Sequence, residues 1–309
     1  MNRVSTPGNY QSALLNLMNA QAQQTDAQTR LSTQKNATDM AGFGRGAENL
    51  TTLKAATSRV QSFLDTGEAV AAKLATQDQA LNQINDSIGT ARSAIGSVLA
   101  SESADVLMLE LRGQFQSIQN GLNAEHQGVY LFGGGNTGQA PVNVSTMAQL
   151  AAAPDVASTF DNDSLTPVSR LGEGRSIQTG YLAEDIGTAI FQIFRDIQAY
   201  NDDPATGPLT GKPTEAQKDF LTAQLSRLDA ASTDTIEVIA RNGSLAKQVE
   251  TTNASHQGQV ETLDAMVASK TDADLARALT DLQLSQVAVQ ASAQVLSKLG
   301  ESSLLNYLR

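Results

Sequence analysis

Leu50, Leu53, Thr57, Val60, Leu64, Gly67, Ala71 and Leu74, then Leu81, Ile84, Ile88, Ala91, Ile95 and Val98, recur at spacings of three and four over most of their length. Positions on that period line one face of an α-helix. At 1.5 Å of rise per residue the run predicts a helix of roughly 75 Å, too long for the interior of a compact globule. Composition points the same way: of 309 residues, 40% are hydrophobic but only 4% aromatic, and aromatic side chains supply much of the area buried in globular cores.

A second long run, with Phe220, Leu221, Leu225, Leu228, Ile236, Ile239, Leu245, Val249, Val260, Leu263 and Val267, predicts a helix from Thr214 to about Ser269. The segment SESAD punctuates the first run, with Ser103 as N-cap of a helix bearing Leu107, Leu111, Ile118 and Leu122. Ile186, Ile190, Ile193, Phe194 and Ile197 mark a shorter helix. Between these, GVYLFGGGNTGQAPVNV and the short apolar runs that follow it read as a small β-rich insertion.

The two ends of the chain differ from the middle. Tyr10, Leu14, Leu17, Gln21, Gln24, Gln28 and Leu31 step by four and three, with Ala13, Ala20 and Ala27 beside them, and predict a helix over residues 8–34. Leu275, Leu279, Leu282, Gln286, Val289, Ala293 and Leu296 do the same at the other end. No residue between Val4 and Thr25, or from Leu282 to Ser297, is charged. Exposed helices usually carry Lys and Glu on their wet face. Here Gln, Ser, Asn, Thr and Ala stand instead, side chains that hydrogen-bond neighbours without the desolvation cost of a buried charge. The expected occupant of those faces is protein: the terminal helices pair with each other, then with sister subunits, and order fully only in that setting. The residues expected to pack between subunits are Tyr10, Leu14, Leu17, Leu31, Leu275, Leu279, Leu282, Val289, Leu296, Leu304 and Leu308.

The predicted fold is mainly α: a long coiled-coil or bundle hairpin with paired terminal helices and a small β-rich central insertion. Three parts are expected, namely paired terminal helices over 1–40 and 270–309, a long helical bundle over 41–130 and 183–269, and an outer insertion over 131–182.

Several functions are excluded or disfavoured. A net charge of −11 leaves no basic patch for nucleic acid or an anionic membrane. The absence of cysteine removes disulfides and thiolate metal sites. The N-terminal stretch lacks the apolar core of a cleavable secretion signal, and no window is apolar enough to span a membrane. GFGRG at 42–46 and GGG at 133–135 lack the strand-loop-helix setting and the Lys-Ser/Thr ending of a phosphate loop, and read as turns. His126 and His256 have no metal-spaced partners and read as helix-surface residues. In TDADLARA, Thr271 or Asp272 reads as an N-cap. No catalytic residue, metal site or cofactor is expected. A rival reading, a surface carbohydrate-binding or carbohydrate-active protein, places its site in the insertion at Asp155, Asp161, Asp163 and Glu173.

RLSTQKNATDMAG, residues 30–42, and DADLARALTDLQLSQVAVQASAQVLSKLG, residues 272–300, resemble the terminal segments of the flagellin superfamily of bacterial flagella. Gln34 stands where that pattern has glycine, and Asp39 where a pair of aspartates is common. GVYLFGGGNTGQAPV, residues 128–142, and the ending SSLLNYLR are similar to the hook-associated proteins of the hook-filament junction within that superfamily, with flagellin itself as the close alternative. The resemblance implies export without a cleavable signal peptide through the flagellar apparatus to an extracellular location. It also implies a cytoplasmic chaperone on the C-terminal helix and a tubular homo-oligomer with the other junction protein and flagellin as neighbours. The function implied is mechanical.

Overall fold

The computed structural model describes residues 6–305, with side chains described for residues 8–299. Seven α-helices and two two-stranded sheets are present among them: α1 (Thr6–Thr33), α2 (Ala47–Ser101), α3 (Leu107–Leu122), β1 (Glu125–His126), β2 (Val129–Tyr130), α4 (Met147–Ala152), β3 (Val168–Gly172), β4 (Arg175–Gln178), α5 (Ala183–Asp202), α6 (Glu215–Thr271) and α7 (Leu275–Leu305). The fold is therefore mainly α, and both long periodic runs are single continuous helices. The chain forms two compact units, residues 1–59 with 259–309, and residues 60–258.

In the first unit α1 and α7 pack along each other in antiparallel sense. Three backbone and side-chain links tie their inner ends. Asn36 donates its N–H to the Thr271 carbonyl at 2.7 Å, Ala273 donates to the Gln34 carbonyl at 2.9 Å, and Asn36 Nδ2 donates to the Asp272 carbonyl at 2.9 Å. The following turn is closed by Asp39, whose Oδ1 accepts the Gly42 N–H at 2.9 Å. A Cβ at Gly42 would stand 2.4 Å from that of Ala37, so the turn requires glycine there. The cap of α7 is Asp274, whose Oδ1 accepts the Arg277 N–H at 3.1 Å. This corrects the expectation for Thr271 or Asp272: the last turn of α6 holds Thr271, and Asp272 faces Lys35.

The second unit contains a continuous hydrophobic core built from α2, α3, α5 and α6 with the loops between them. Sparse aromatic content predicted no such core, but the phenylalanines are concentrated here. Phe191 lies 5.1 Å from both Phe115 and Phe160, ring to ring, and Phe194 lies 5.8 Å from Phe115. α5 enters this core because its apolar residues recur on one face: Ile186, Ile190, Ile193, Phe194 and Ile197 are all buried. Gly187 belongs to that face, and a Cβ on it would press against Phe160 at 2.7 Å and Leu122 at 2.9 Å. α3 begins at Leu107 after Val106, with no side-chain cap; Ser103 instead donates to Asp105.

The insertion carries less strand than its composition suggests: the β3–β4 hairpin, the short helix α4 and connecting loops. The hairpin seats on α2 and α6 through a small apolar cluster of Val70, Leu74, Leu171, Ile177 and Val249. Polar contacts fix its position. Gln77 donates to the Thr179 carbonyl at 3.1 Å, and His256 Nε2 lies 2.7 Å from the Leu171 carbonyl, with its ring stacked on Phe63. His256 is thus half-buried in the hairpin's seat, and His126 sits in β1 with Nδ1 2.9 Å from the Thr76 hydroxyl. Neither is the helix-surface residue that the sequence predicts.

Candidate assembly surface

The α1–α7 pair presents two kinds of face. Ala13, Ala20 and Ala27 of α1 are buried, as are Ala278 and Ser285 of α7, so small residues at seven-residue intervals form the seam. Leu17, Gln24 and Leu31, and Leu282, Val289, Ser292, Leu296 and Leu299, continue it at half-buried positions. Tyr10, Leu14, Leu275 and Leu279 remain exposed at 41–49% of their surface. The side chain of Leu304 and the whole of Leu308 lie outside the described residues.

Each residue advances about 100° around a helix. On that geometry Leu14, Leu15 and Met18 stand away from the α1 seam, Leu284 and Val295 stand on one flank of α7 about 100° from its own seam, and Val287 stands roughly opposite it. All six are exposed, Leu284 by 65% and Val287 by 63%. The five that fall outside the sequence stripe were recoverable only as apolar residues off the four-three step, within stretches that contain no charge. Single exposed apolar residues are ordinary on a soluble surface, but recurrent ones on uncharged stretches of helix mark an interaction face.

The ion pairs that link the segments of α1 and α7 lie at the inner end of the pair. Arg30 pairs with Asp26 on its own helix and lies 3.5 Å from Asp281 of α7. Lys35 Nζ lies 2.5 Å from Asp272 Oδ1. The hydrogen bond from Lys35, then that from Thr271, holds the Asp272 carboxyl below its ordinary range.

Residues 225–308 match the family model of the bacterial flagellin C-terminal helical region. The C-terminal region of the chain is flagellin-like. That flagellin-like region takes in most of α6 and all of α7 within the described residues, and so the C-terminal half of the seam and of the exposed apolar face. No curated protein matches the sequence. In fold, the chain is similar to a structure assigned as a flagellar hook-associated protein from Vibrio parahaemolyticus. The TM-score is 0.59 at 16% identity over 73% of this chain and 97% of that one. It is also similar to FlgL from Bacillus cereus, with a TM-score of 0.54 at 15% identity over 71% of this chain and 98% of that one.

No cluster of three or more His, Asp or Glu among the described residues is placed to hold a metal ion, and no described helix is long and apolar enough to cross a membrane. The insertion's acids have local tasks: Asp155 accepts from the Ser158 N–H, Asp161 from Gln139, and Asp163 from the Ser164 N–H.

Proposed function

We propose that this protein is a structural subunit of the bacterial flagellum that joins hook to filament. It assembles as a helical ring through α1 and α7. Tyr10, Leu14, Leu275 and Leu279, together with Leu15, Met18, Leu284, Val287 and Val295, are the residues that sister subunits cover; Leu17, Leu31, Leu282, Val289 and Leu296 hold the pair together. The observation that carries this reading is the exposed apolar face on uncharged stretches of α1 and α7, in a chain whose C-terminal region is flagellin-like. The axial neighbours are the other junction protein on the hook side and flagellin on the filament side. Before export, a cytoplasmic chaperone covers the same apolar face of α7. The role is mechanical, without catalysis or cofactor.

Deletion of the gene tests this. Hooks that remain intact while flagellin is shed into the medium support the junction role. Disappearance of the filament's bulk subunit itself identifies the chain as flagellin and overturns it.

A further inference from the structure

A groove of about 440 Å³ opens in the first unit, at the inner end of the α1–α7 pair. Ala37, Met40 and Phe43 of the turn between α1 and α2 line it together with Val267 of α6, so its floor is apolar. Met40 remains exposed and Phe43 half-buried. Three charged residues stand in the lining. Two are engaged: Lys35 with Asp272, and Asp39 with the Gly42 N–H. The ammonium of Lys54, near the start of α2, has no hydrogen bond or ion pair among the described residues. An apolar floor beside one unengaged cation fits a partner that brings apolar side chains and a carboxylate.

That combination stands at the other end of α7. From Leu282 to Arg309 the sequence has one acidic residue, Glu301. Glu301, Leu304, Leu305 and Leu308 follow one another at i, i+3, i+4 and i+7, the spacing of a single helical face. The same chain cannot deliver them to its own groove. Thr271 in the lining lies just before the start of α7. From there α7 runs 31 residues to Leu305, about 46 Å at 1.5 Å of rise each. Residues 306–309 reach back no more than about 14 Å.

We propose that the groove receives the 301–308 segment of a second copy of this chain. Leu304, Leu305 and Leu308 lie on the floor made by Ala37, Met40, Phe43 and Val267, and Glu301 pairs with Lys54. The contact joins unlike ends of identical molecules, so it repeats from copy to copy and builds a ring or a helical array, where a like-to-like contact would stop at two. The inference rests on the assembly reading above and adds to it which segment meets which.

Charge reversal in the full-length chain, expressed in cells that lack the unaltered gene, tests the pairing, with the amount of this protein in purified flagella as the readout. Lys54→Glu and Glu301→Lys should each cut incorporation about tenfold or more, because each sets like charges face to face. Both on one chain should restore it, since every copy then offers two reversed partners. Normal incorporation of either single variant, or loss without recovery in the double, overturns the inference. A second measurement uses the absence of cysteine from the chain. Met40→Cys with Leu305→Cys should give an oxidised ladder of multimers in flagella, and each substitution alone should give none. No ladder from the pair, or dimers from Leu305→Cys alone, overturns the head-to-tail contact. These readouts follow the protein wherever it sits in the flagellum, so they fail separately from the junction role, which the gene deletion decides. Absence of the unaltered chain from flagella removes the assembly reading and this inference with it.

Discussion

The carbonyl of Gln34 accepts the N–H of Ala273 at 2.9 Å, and it does so with Gln34 in the left-handed region at φ +57°. That conformation ends α1 and turns the chain toward Thr271 and Asp272. It costs a residue with a Cβ roughly 1 kcal/mol that glycine does not pay. The position is the one at which the flagellin-type pattern has glycine.

Gln34→Gly should therefore stabilise the first unit, by about 0.5–1 kcal/mol after allowance for the greater freedom of the unfolded chain. Urea denaturation followed by circular dichroism measures it. A loss of stability would show that the Gln34 side chain makes a contribution larger than the backbone strain.

Leu284→Lys with Val287→Lys places two charges on the outward side of α7, away from its buried seam. Monomer stability should change by less than about 0.5 kcal/mol per site, as at other exposed positions. Incorporation into flagella should fail, as read by immuno-electron microscopy of complemented cells. Normal incorporation would remove this face from the assembly contact.

Removing residues 282–309 takes away most of α7 and strips α1 of its partner. The product should be a soluble helical monomer, since the core of the second unit draws on neither helix. It should not assemble; if the truncated chain still joins the flagellum, the terminal helices are not the means of assembly.

Phe191→Ala empties the centre of the phenylalanine group between Phe115 and Phe160. A cost of about 3–5 kcal/mol is expected from lost contacts and the cavity left behind. Chemical denaturation of the second unit's transition gives the value, and a cost below about 1 kcal/mol would mean that the core collapses around the gap.

Glu102 accepts from Lys212 and Lys218, and these bonds lower its pKa from 4.5 to about 2. Its folded form is the more acidic one. Its contribution to stability is therefore complete above about pH 4.5 and fades as the pH falls toward 2. Glu102→Gln should remove that part of the acid dependence and leave the rest of the pH profile unchanged, as measured by melting temperature between pH 2 and 7. An unchanged acid limb would assign the dependence to other carboxylates.

The long helices were legible because Leu81, Ile84, Ile88, Ala91, Ile95 and Val98 put large apolar residues on the buried side, where the usual rule of reading a stripe applies. α1 obeys a different rule. Its seam runs through Ala13, Ala20 and Ala27, and the larger Tyr10 and Leu14 lie outside, so a stripe drawn through the largest residues falls beside the true contact line. In α6, Ile236 is likewise exposed, while Thr235 and Asn242 are buried, the latter donating to the Leu74 carbonyl at 2.9 Å. That exchange depends on a partner 168 residues away. In DAD, either aspartate has the chemistry of a cap, and only the Lys35 contact takes Asp272 out of contention.

The α1–α7 join buries alanine and serine at its centre and half-covers Leu17, Leu31, Leu282, Val289 and Leu296 at its margins. Small residues let the two backbones come close, and the larger side chains beside them lose the rest of their exposure only when something further arrives. A stem of this kind stands on its own seam while it is alone and gains rigidity when it is crowded on every side.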